Sequence, residues 1–136
     1  MTTTVELDFV CDVCGRLVAD HEGCLVVSFT DIHAYRRAQR EWKQVHGAGP
    51  HTVSEVLRMP EVVPWRIHHD RCNPDDGSDG YDIDVSRVRT WRALLFETSR
   101  LMAKNWLALT DWPQVIGAAA EGRSGRIKEL ATGDAA

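Results

Sequence analysis

The chain has 136 residues, a formal net charge of −4 and 43% apolar residues, with five Trp. That size supports one core and one domain. The acidic balance excludes indiscriminate coating of nucleic acid, which needs clustered Lys and Arg, but leaves room for a local basic face.

Met1 to Leu7 lacks the basic start and apolar run of a signal peptide. No stretch reaches the roughly 20 apolar residues of a membrane span, so no membrane association is expected. The expected compartment is the cytoplasm, where four cysteines act as metal ligands or free thiols rather than as disulfides.

Val5 to Phe9 reads as a short strand feeding the knuckle Cys11-Asp12-Val13-Cys14-Gly15-Arg16. Cys24 to Thr30 reads as a returning strand, with Leu25, Val27 and Phe29 alternating onto one face. Together these make a knuckle-plus-hairpin unit. Thr30 or Asp31 caps a helix running to about His46 and stopped by Gly47, with Ile32, Tyr35, Ala38, Trp42 and Val45 on its buried stripe. Thr52 and Glu55 have capping-box spacing and predict a short helix ended by Pro60.

Glu61 to His69 reads as a strand whose alternation puts Val63, Trp65, Ile67 and His69 on the buried side. Pro64, Arg66 and His68 fall on the outward side, and Pro64 marks an edge strand. An acidic loop from Asn73 to Gly80 follows, its residues from Asp75 departing from the calcium-loop pattern at Gly77. Tyr81, Ile83 and Val85 suggest one more strand. Thr90 caps a helix to Lys104 with Trp91, Leu94, Leu95, Thr98, Leu101 and Met102 buried, terminated by Asn105. Thr110 or Asp111 caps another, from Trp112 to about Ala120, with Pro113 in its permissive first turn. Residues 1–121 are expected to form a single zinc-stabilised domain and 122–136 a flexible tail.

The chemistry concentrates in two places. CxxC followed by Gly aims two thiolates at one ion, because Gly15 can take the left-handed backbone that closes the turn. His69-x-x-Cys72 repeats the spacing and completes a tetrahedral set, so the expected zinc ligands are Cys11, Cys14, His69 and Cys72. His68 competes with His69 for the imidazole position, and Cys24 is an alternative fourth ligand. Three thiolates and a fourth protein donor close the shell, which describes structural rather than catalytic zinc. The zinc-deaminase and HExxH patterns are absent.

The CDVCGR and HHDRC stretches together resemble a zinc-ribbon or treble-clef zinc site, and the Arg, Ala, Asp and Trp usage resembles that of small bacterial or phage proteins. The resemblance implies a non-enzymatic adaptor or regulatory module that binds protein or nucleic acid. Such binding would use two basic helix faces, Arg36, Arg37, Arg40 and Lys43 on one and Arg87, Arg89, Arg92, Arg100 and Lys104 on or before the other. His68-His69-Asp70 also resembles the start of an HNH nuclease motif, which implies His68 as general base; no histidine follows His69 to supply that family's second one. The expected fold class is α+β, a small antiparallel sheet with a zinc site packed against three to four helices.

Overall fold

The computed structural model describes residues 4–73 and 79–132. In chain order the elements are β1 (Thr4–Phe9), β2 (Gly23–Ser28), α1 (Phe29–His46), α2 (Val53–Leu57), β3 (Arg66–His69), β4 (Gly80–Asp84), α3 (Trp91–Leu101), α4 (Trp112–Ala120) and β5 (Ile127–Thr132). They form an α+β fold with two antiparallel sheets: β1 with β5, and β3-β2-β4 with β2 in the centre.

Local chemistry accounts for most boundaries. The Ser28 side chain accepts from the Asp31 N–H at 3.2 Å, so the cap of α1 lies two residues before Thr30 and three before Asp31, the caps expected from sequence. At its other end Gly47, with φ at 70°, donates its N–H to the Lys43 carbonyl. The capping box of α2 forms in full, Thr52 and Glu55 each bonding the other's backbone N–H. Thr90 caps α3 through the Ala93 N–H, and Asp111 precedes α4 without a capping bond, its side chain accepting instead from the Trp65 N–H at 2.7 Å.

The sheets bury one continuous core. Leu25, Ile67 and Ile83 stand abreast across β2, β3 and β4 and are buried, as are Leu7 and Phe9 of β1. Trp65 lies at the centre of an aromatic cluster with Tyr81, Trp106 and Trp112, its indole N–H donating to the Thr110 hydroxyl at 3.0 Å.

Four expectations are corrected. The strand from Glu61 shortens to β3, because Val63 bonds Leu109 and Asp111 across the start of α4 while Pro64 has no N–H to give a ladder. The knuckle-plus-hairpin unit does not form: β1 and β2 enter different sheets, and the knuckle is closed by the Val10–Leu17 bridge and by the Cys11 N–H donating to the Arg16 carbonyl. The flexible tail expected from residue 122 contains β5, which pairs with β1 along its whole length and buries Ile127. The buried side of α3 consists of Leu94, Glu97 and Leu101, while Leu95 and Met102 face solvent. Residues 74–78 of the acidic loop lie outside the described residues.

Candidate metal centre

Cys11 and Cys14 lie on the turn after β1, His69 is the last residue of β3, and Cys72 ends the 3-10 turn Asp70–Cys72 that follows it. Their ligand atoms all lie within 4.8 Å of one another. His69 Nδ1 stands 3.3 Å from Cys14 Sγ and 3.9 Å from Cys72 Sγ. All four cysteines are free thiols. The quartet can hold a metal ion, and it is the set expected from the spacing.

Each position has a local cause. Gly15, with φ at 73°, returns the chain so that its N–H bonds the Cys11 carbonyl at 3.0 Å, which folds the two thiols toward the same point. His69 Nε2 lies 2.9 Å from the Leu17 carbonyl oxygen. A carbonyl only accepts, so Nε2 carries the proton and Nδ1 presents its lone pair to the thiols. A neighbouring backbone group fixing a metal ligand's tautomer in this way is common at metal sites.

A second layer ties the two halves together. The Asp12 N–H donates to the Ile67 carbonyl and the Ile67 N–H donates to Asp12 Oδ2, both at 2.8 Å. Arg126, just before β5, donates to both Asp12 oxygens at 2.9 Å and to the Trp65 carbonyl at 2.6 Å. One guanidinium thus clamps the knuckle onto the strand that delivers His69. Sequence reasoning missed both residues. Asp12 carries a faint signal as an acidic residue inside the knuckle, and Arg126 carries none.

The electrostatics suit a cation. Burial opposes ionisation of Cys11, but the backbone N–H groups of Cys14, His69 and Val13 outweigh it and hold its thiol below the ordinary cysteine value. Partial burial pushes the Cys72 thiol up, and the neighbouring Cys11 and Cys14 sulfurs push it further. Three converging sulfurs resist joint ionisation, and a bound cation removes that conflict.

The other candidates lie elsewhere. Cys24 is outside the quartet; burial, then the charges of Asp70, Asp82 and Asp84, raise its thiol to about 11. His68 is also outside it. It was expected on the outward face of its strand, yet it is only 5% exposed, paired across from Cys24, with Nδ1 lacking a hydrogen-bond partner. Among the basic residues, Arg89 bonds Asp20 and the Leu7 and Val18 carbonyls, and Arg87 pairs with buried Glu97. Those two belong to the fold's internal network rather than to a free basic face.

Among the described residues no helix is long and apolar enough to cross a membrane. Compared with protein-family models, curated proteins and solved structures, the chain matches none.

Proposed function

We propose that this protein is a non-enzymatic binding module stabilised by a structural zinc ion held by Cys11, Cys14, His69 and Cys72. The observation that carries the reading is the closed donor set of three sulfurs and one correctly protonated imidazole. Tetrahedral zinc, with Zn–S of about 2.3 Å and Zn–N of about 2.0–2.1 Å, separates its donor atoms by about 3.6–3.8 Å. The 3.3 and 3.9 Å separations around His69 Nδ1 bracket that range. Soft thiolates favour zinc over hard cations such as magnesium or calcium. With four protein donors no position is left for a reacting water, which argues for a structural role.

The outward side of α3 supports partner binding. Leu95, Phe96 and Met102 are exposed there beside the exposed cations Arg92 and Arg100. Arg100 lies over the Phe96 ring at 6.0 Å. An acidic protein segment with apolar side chains matches this mixture better than a bare phosphate backbone does, because large apolar side chains stand among the cations.

The test is the metal content of natively purified protein beside a Cys72→Ser variant. The expected result is one zinc per chain in the parent, and loss of both zinc and cooperative folding in the variant. A parent without zinc, with the variant folded as before, would overturn the reading. The non-enzymatic half is tested separately by incubating the zinc-loaded protein with plasmid DNA and magnesium or manganese. DNA is expected to stay intact; cleavage abolished by His68→Ala would establish the nuclease alternative instead.

A further inference from the structure

In the arm formed by α1 and α2, two imidazoles converge on one carboxylate. His46 Nδ1, in the last turn of α1, stands 3.2 Å from Glu55 Oε2, and His51 Nδ1, on the loop between the helices, stands 3.5 Å from the same oxygen. His51 Nδ1 is buried and makes no hydrogen bond there. The other carboxylate oxygen, Oε1, accepts from the Thr52 N–H and hydroxyl within the capping box. One oxygen thus belongs to the helix cap and the other faces the imidazoles.

The same rings cover Trp42. Both imidazole centroids lie 4.7 Å from its ring, and its indole N–H donates to the Glu55 carbonyl at 3.1 Å. Trp42 is only 8% exposed beneath them. α2 buries none of its own residues, and each of these contacts with α1 runs through Glu55. Three further charges lie close by. Glu41 and Arg58 line the hollow beside His46 and Trp42, one acid and one base that offset each other. Lys43 shares the last turn of α1 with His46, but its side chain is exposed and screened by solvent. The Glu55 carboxylate therefore dominates the field at both rings.

We propose that His46, His51 and Glu55 form a pH-sensitive clasp, which holds α2 against Trp42 firmly in mildly acidic solution and loosely above neutrality. A free imidazole gives up its proton at about pH 6.5, so such a pair changes charge in the physiological range. Hydrogen bonds from the Thr52 hydroxyl and N–H hold the Glu55 carboxyl below its ordinary range, which keeps it anionic through that window. A ring protonated beside it gains an ion pair that exists only while α2 is seated. Seating of α2 then favours proton uptake, so it strengthens as pH falls through the imidazole range and weakens as pH rises through it.

The experiment is acrylamide quenching of Trp42 fluorescence in the full chain between pH 8 and pH 5.5, with the Trp42 signal taken as the difference between the parent and Trp42→Phe. The quenching constant is expected to fall about threefold towards pH 5.5, the size suited to a partly exposed ion pair. His46→Gln and His51→Gln should each reduce that change, and the double variant should abolish it. Glu55→Gln should abolish it as well, while glutamine still satisfies the capping box and preserves α2. The metal-site histidine is retained in every variant, so a transition arising there would persist in the double variant. A quenching constant in the parent that is indifferent to pH overturns the proposal, and so does an undiminished change in the double variant.

Discussion

The metal-site half and the α1–α2 arm are held together in opposite ways. At the metal site the contacts that join its two halves link remote residues: Cys14 meets His69 across 55 positions and Arg126 meets Asp12 across 114. Where α2 joins the end of α1 the contacts are local, the Trp42 indole reaching 13 positions to Glu55 and the α2 capping box spanning three. Remote contacts carry a large loop-closure entropy that a few hydrogen bonds offset poorly, whereas an ion gripping both halves offsets it well. Local contacts form without such help. On the zinc reading proposed above, the first region would depend on a bound ion and the second would not.

If the quartet holds the proposed zinc, removing it is the most severe way to break this comparison. A zinc chelator added to the full chain should remove stability on the order of 10 kcal/mol, leaving no cooperative melt. Hydrogen exchange should then accelerate most in β1, β5 and β3, and least in α2, whose amides lie on a small exposed helix. Equal acceleration in both regions would dissolve the distinction drawn above.

Arg126→Ala is the next largest perturbation. It removes a two-pronged ionic bond to Asp12 and a bond to the Trp65 carbonyl, at a guanidinium that is one-third exposed. The loss should be about 2 kcal/mol in thermal or urea unfolding. Zinc affinity should fall about tenfold, since the ligands keep their chemistry but lose their mutual position. Unchanged affinity with the same destabilisation would mean that the clamp serves the sheet and not the site.

The smallest effect is expected in the arm. Hydrogen bonds from the Thr52 hydroxyl and N–H, against a small desolvation cost, hold the Glu55 carboxyl below its ordinary range, with His51 and His46 adding to the shift. A carboxyl lowered in the folded state contributes stability above its unfolded pKa, and that contribution is lost as pH falls through the folded value. Trp42 fluorescence, which reports the packing of the arm, should therefore change on acidification below the usual carboxylate range. Glu55→Gln should flatten that change. A transition of the same size in the Glu55→Gln variant would place its origin elsewhere.

Legibility from sequence follows the same division. The capping box at Thr52, the stop at Gly47 and the turn at Gly15 are written in short-range chemistry, where a few side chains satisfy nearby backbone groups. The Cys11, Cys14, His69 and Cys72 quartet was also readable, because thiolate spacing on a turn carries its own geometry. Composition and alternation placed Val63, Trp65, Ile67 and His69 inward, and all four are buried.

Tertiary structure decided the rest. The stretch that follows Ser124 and Gly125 became β5 by pairing with β1, and Arg126 within reach of Asp12 followed from that pairing. His68 was expected on the outward side and is buried, and α3 turned its Leu94–Glu97–Leu101 side inward because Arg87 and Arg100 neutralise Glu97 there. A sequence shows which residues can be buried or ionised in its own neighbourhood. Only the folded chain supplies the distant partner that makes burial of a charge, or the pairing of a polar strand, favourable.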